Sequence, residues 1–219
     1  MRPPLNRRNI AGAALVALMA AAAAVVYPDL PERMAVHFGD TGQPDGYLPR
    51  LYAVAVGPVA GLGALVLFQA LPRIDPLGEN VAGFQRYYDL LAVVTVGILA
   101  YVHGLVLAYN LGYRVNVATL AVPLVAVTLV VAGYVVENAE QNWFVGIRTP
   151  WTLSDEEVWA ATHERTGALF KLAGVVSLSA LAFPEHFLLL VVGPAVAAAL
   201  FGTVYSFVLY RRKQRGQLG

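Results

Sequence analysis

Residues 90–109 read LLAVVTVGILAYVHGLVLAY, twenty residues with no formal charge. A helix rises about 1.5 Å per residue, so this run reaches across the ~30 Å hydrocarbon core of a bilayer. Five more runs share its character: Ile10–Tyr27, Leu51–Leu71, Val117–Val136, Thr166–Phe183 and Phe187–Tyr210. Among the six, only Thr166–Phe183 holds a charge, Lys171, close enough to the start of the run for its stem to snorkel to the interface. The pattern predicts an all-α fold: a polytopic membrane helical bundle of six transmembrane helices. In 219 residues that leaves no room for a separate soluble domain.

Composition and charge support this reading. Hydrophobic residues make up 58% and charged residues 13%, against roughly 25% charged in an average soluble domain. A net charge of +1 gives no surface for direct nucleic-acid binding, so the first partner is the lipid bilayer itself. With no cysteine, disulfides and thiol chemistry are excluded. If the N-terminus is cytoplasmic, the inner segments hold Arg2, Arg7, Arg8, Arg73, Arg86, Arg148, Arg165, Lys171, Arg211, Arg212, Lys213 and Arg215. The outer ones hold Arg33, Arg50 and Arg114. That asymmetry obeys the positive-inside rule, and six spans return the C-terminus to the cytoplasm too. A cleaved signal peptide is the rival reading of the first run, which is longer than a usual signal core. Its removal would also leave five spans and mismatched basic ends, so the run is expected to be retained.

The outer loop 28–50 is dense in breakers, with Pro28, Pro31, Pro44, Pro49, Gly39, Gly42 and Gly46. It should be a compact set of turns, with Met34–Phe38 extended and a tight turn at Gln43–Gly46. In the second helix, Gly57 and Gly61 permit close helix contact and Pro58 is placed to bend the chain. His103 falls near mid-membrane. It reads either as a neutral imidazole bonded between helices, to Thr128 or Tyr134, or as a functional group. On the inner side, Ser154 and Glu157 have the spacing of a capping box. The acidic run Asp155–Glu157 suits a helix start, so the fifth helix should run from there into the membrane as one rod.

Little points to catalysis. His163-Glu164 begins like a zinc-peptidase motif, but Gly167 stands where the second histidine is required. His37, Asp40 and Asp45 have the chemistry of cation ligands, yet turn-forming alone accounts for the acidic residues there. No nucleophilic triad, phosphate loop or pair of intramembrane carboxylates is present, so neither an enzyme, a metal nor a cofactor is expected. A small-solute transporter or channel-like protein is the alternative, hinted at by His103 and the Gly/Pro-interrupted second helix. Asn142–Thr152, rich in aromatics around Arg148, reads equally well as an interfacial anchor or as a folded cap that docks a partner.

The stretch NWFVGIRTPWTLSDEEVWAATHERTG, residues 142–167, resembles the signature of the SdpI family of bacterial and archaeal membrane proteins. YPDLPERMAVHFGDTGQPDGY, residues 27–47, resembles the DUF1648 domain that commonly precedes it, with Arg50 where a lysine is frequent. The resemblance divides the chain into a DUF1648-like region, 1–71, and an SdpI-like region, 72–219, with an inner cap at 137–166. It implies a multi-pass cell-membrane protein giving immunity against a membrane-active peptide toxin met at the outer face. It further implies signalling by recruitment of a cytoplasmic transcriptional repressor. Carried onto this chain, the motif positions are Asn142, Gly146, Arg148, Thr149, Pro150, Trp151, Trp159, His163 and Gly167 inside, and His37, Gly42 and Asp45 outside. Gly146 and Pro150 would shape a turn, Arg148 would bind a carboxylate or lipid phosphate, and Trp159 and His163 would share one helix face.

Overall fold

The computed structural model describes residues 7–39, 42–113 and 116–216; Arg2, Asp40 and Arg114 lie outside them. Seven α-helices and one hairpin follow in order among the described residues: α1 Arg7–Val26, β1 Arg33–Phe38, β2 Pro44–Pro49, α2 Arg50–Ile74, α3 Gln85–Asn110, α4 Val117–Asn138, α5 Pro150–Ser154, α6 Glu156–Ser177 and α7 Gly193–Gln214. Five helical segments are long and apolar enough to cross a membrane: Arg8–Asp29, Arg50–Ile74, Gln85–Asn110, Thr119–Asn138 and Leu188–Gln214. The sixth expected span departs from its predicted bounds. α6 stops at Ser177 and a 3₁₀ turn, Leu178–Leu181, takes over the rest of the run to Phe183. The acidic first turn and interior charges of α6 also dilute its apolar character.

The chain forms two compact units, residues 1–69 with 92–121 and residues 70–91 with 122–219. In the first, the segment between α1 and α2 holds a β-hairpin rather than only a string of turns. Its strands pair antiparallel, with Met34 opposite Leu48 and Ala35 opposite Tyr47. Gln43–Gly46 is not the turn: Pro44 already belongs to β2, and ahead of it the Gly39 N–H donates to the Gln43 carbonyl at 2.9 Å. Gly42 there has φ +74°, a conformation only glycine takes freely. Met34 is fully buried and packs with Ala23 of α1, Ala53 of α2 and Val106 and Leu107 of α3. The Asn110 amide bonds both backbone groups of Ala35, as a neighbouring strand would, at 2.8 Å each. Arg50 donates to the carbonyls of Tyr27 and Leu30 and lies over the Tyr27 ring.

His103 is bonded elsewhere than expected. Its Nε2 lies 3.2 Å from the Met19 carbonyl of α1, while Thr128 donates to its own helix at Leu124. Gly57 makes room for the imidazole, since a Cβ at Gly57 would fall 2.5 Å from its Nδ1. The ring is 5% exposed and wedged between helices.

The second unit is built around α6. Asp155 caps it, accepting from the backbone N–H of Glu157 and Val158. Ser154 does not cap α6 because it closes α5. That short helix starts at Thr149, with Pro150 at its first position, where the missing N–H costs nothing. Lys171 Nζ meets Glu137 of α4 at 2.7 Å and lies over the Tyr134 ring. α4 and α6 approach through glycines: a Cβ at Gly167 would sit 2.7 Å from the Gly133 carbonyl, and one at Gly174 2.6 Å from that of Ala126.

Candidate functional site

The cap is the segment between α4 and α6. It folds around Asn142, which is 1% exposed. The Asn142 Nδ2 group donates to the carbonyls of Glu140 and Val145, and Oδ1 accepts from the N–H groups of Phe144 and Val145. One side chain thus satisfies four backbone groups of a loop that has no ladder to satisfy them. The loop is also tied to the α2–α3 connection. Buried Asp75 accepts from Leu77 N–H with one oxygen and from Trp143 N–H with the other, and Asn80 donates to the Gln141 carbonyl.

Gly146 follows at φ +115°. A Cβ there would overlap the His163 imidazole, so the chain passes close against its Nε2 edge. The Ile147 N–H then donates to His163 Nε2 at 2.9 Å, while Nδ1 meets the Trp159 carbonyl at 2.7 Å. This assigns the tautomer: Nδ1 carries the proton and Nε2 accepts. The imidazole stacks on the Trp159 indole with centroids 3.9 Å apart, and the indole N–H donates to the Ala139 carbonyl. Burial opposes protonation and pushes the His163 pKa down to about 4, against a smaller upward pull from the Trp159 carbonyl. At neutral pH it is an uncharged strut.

Thr149 and Thr152 form the capping box of α5: each hydroxyl accepts from the other's N–H. Thr152 also donates from its hydroxyl to the Ile147 carbonyl. Pro150 is exposed at the start of this turn. Trp151 points into α7, where its indole N–H donates to buried Ser206 and its ring meets Phe207 edge-on at 5.2 Å. Gly167 lies at the α4 crossing described above. Arg148 is exposed and donates from Nη1 to the Trp143 carbonyl at 2.7 Å, leaving the rest of its five-donor fork to the surroundings. Trp143 is 49% exposed. The cap therefore has a buried frame of Asn142, Thr152, Trp159 and His163 that presents Trp143 and Arg148.

At the start of α6, Lys213 of α7 contacts both Asp155 and Glu157, at 2.8 and 2.6 Å. The ammonium beside Asp155 holds its carboxyl below the usual carboxylate range. In the β1–β2 hairpin, His37 Nδ1 and Asp45 Oδ1 lie 2.5 Å apart, both well exposed, with Gly46 under the His37 side chain and Gly42 between the strands. Among the described residues no third acidic or histidine ligand joins them.

Asp75, Asn80, Thr152 and Ser206 were not legible as site residues in the sequence. Asp75-Pro76-Leu77-Gly78 reads only as a turn, and a lone serine in an apolar run carries no signal until its helix is packed against the indole.

Residues 138–206 match the SdpI/YfhL protein family, and residues 14–62 match a domain of unknown function, DUF1648. The immunity protein SdpI of Bacillus subtilis (strain 168) is 27% identical over 209 residues, covering 94% of this chain and 97% of that protein. No solved structure matches the chain.

Proposed function

We propose that the chain is a membrane protein of the SdpI/YfhL family and that it confers immunity to a membrane-active peptide toxin on the cell that makes it. The observation that carries this reading is the near end-to-end similarity to the immunity protein SdpI. The action is binding rather than catalysis, performed in the cell membrane of a bacterium or archaeon. The outer hairpin is the toxin-facing element: it is braced by Met34, Asn110 and Arg50 and exposes His37, Asp45 and Tyr47. Expression in a sensitive host should raise survival when amphipathic peptide toxins are added. Unchanged killing across a panel of such peptides would defeat the proposal.

Signalling is a second reading, favoured by the rigid cap. A soluble repressor would dock on Trp143 and Arg148, whose backbone is fixed from below by Asn142 and His163. Pull-down of a repressor in toxin-treated cells should fall in Arg148→Ala and Trp143→Ala with immunity retained. Trp151→Ala would not make that distinction, because Trp151 also holds α5 on α7.

Small-solute transport gains no support from His103, whose ring is packed between Gly57 and the Met19 carbonyl.

A further inference from the structure

α7 carries two unlike faces. Ala198, Gly202 and Ser206 are buried, and a Cβ at Gly202 would meet the Thr166 hydroxyl of α6 at 2.5 Å. The outward face is an open apolar groove lined by Ala197, Leu200, Phe201, Val204, Tyr205 and Val208. Leu200 and Val204 are 61% and 62% exposed, within a segment long and apolar enough to span a bilayer. Phe201 and Tyr205 stack nearly parallel, 8° apart with centroids at 5.4 Å, giving the groove a flat wall.

The groove ends in positive charge. Arg165 of α6 lies over the Tyr205 ring, 4.7 Å from its centroid. Arg211 and Arg212 follow Val208 by three and four residues, which puts them on the next turn of the same face. Among the described residues none of these three arginines makes an ion pair. Two carboxylates at the start of α6, Asp155 and Glu157, are taken by Lys213.

We propose that this groove binds one anionic phospholipid, with an acyl chain along Leu200, Val204 and Val208 and the phosphate between Arg165 and Arg212. Arginine suits the phosphate because its planar fork binds two oxygens at once. Basic residues just beyond a spanning helix attract anionic lipids. A second copy of the chain fits the face poorly. Helices approach closely through small residues, and of those on α7 Ala198, Gly202 and Ser206 are already buried. A symmetric pairing along the groove would also bring two sets of unpaired arginines together.

The test is native mass spectrometry of the detergent-purified full chain, mixed with phosphatidylglycerol or phosphatidylcholine of identical acyl chains. The wild type should retain phosphatidylglycerol at least about fivefold over phosphatidylcholine. Arg165→Gln with Arg212→Gln should abolish that preference, whereas Arg165→Lys with Arg212→Lys keeps most of it. Val204→Trp, filling the groove, should lower retention of both lipids. Arg86→Gln, remote from the groove in sequence and exposed, should behave as wild type and controls for charge alone. Equal retention of the two lipids, or a preference that survives the double glutamine variant, overturns the proposal. So does displacement of the lipid by soluble glycerol phosphate, which would mark a headgroup-only anion site. A lipid-independent dimer that Val204→Trp breaks would assign the groove to a second copy instead.

Discussion

At His163 the fold has used an ionisable residue for its shape and its neutral hydrogen bonds. The folded pKa of about 4 lies below the ordinary 6.5, so the unfolded chain takes up the proton first. The contribution of this group is therefore complete above pH 6.5 and is lost as the pH falls from 6.5 towards 4. At about 1.4 kcal/mol per pH unit, the loss amounts to something on the order of 3 kcal/mol. Thermal unfolding in detergent, followed by Trp fluorescence, should show the melting temperature dropping across that window. His163→Gln should unfold more easily at neutral pH and show a flatter profile; an unaltered slope would assign the effect to another group. Gly146 tests the same contact from the other side. Gly146→Ala must hold an L-residue at φ +115° against the imidazole, and it should destabilise by about 2 kcal/mol or more. Gly104→Ala, where a Cβ would meet nothing within 4 Å, should instead be neutral or stabilising by about 0.5–1 kcal/mol. Similar shifts at the two glycines would contradict the packing described. The sequence marked Gly146, Trp159 and His163 as motif positions. It could not show that ring stacking and a backbone N–H join them, because those partners lie on separate segments.

Among the elements, α6 separates what is legible from what is not. Its start near Asp155 was readable from the acidic run. The identity of its cap was not, because Ser154 and Asp155 are both good caps, and the choice fell to the short α5 ahead of them. Its charge at Lys171 was readable too, but the partner Glu137 sits on α4, 34 residues away. Both side chains are a little over one-quarter exposed, so solvent screens the pair in part. Lys171→Met should cost about 1–2 kcal/mol, mostly by leaving Glu137 without a counter-charge. Adding Glu137→Gln should recover most of it, measured as melting temperatures around a double-mutant cycle. Additive losses would show that the ion pair contributes nothing.

For the whole molecule, α6 also decides the parity of the topology. If it crosses together with the five apolar helical segments, both ends lie in one compartment, as the clustering of basic residues requires. Reporter fusions to the N- and C-terminus should both read cytoplasmic, and opposite readings would take α6 out of the membrane. Hydropathy determined the membrane class, the all-α fold and the bounds of most apolar helices. Those follow from one local quantity, the length of chain that lipid will accept without charge. The hairpin bracing, the Met19 partner of His103, the Asp75 clasp on the cap and the division of α7 into a packed and an open face were decided only by tertiary structure. Each depends on which distant backbone or side-chain group arrives within hydrogen-bond or van der Waals reach, and no local pattern along the chain encodes that.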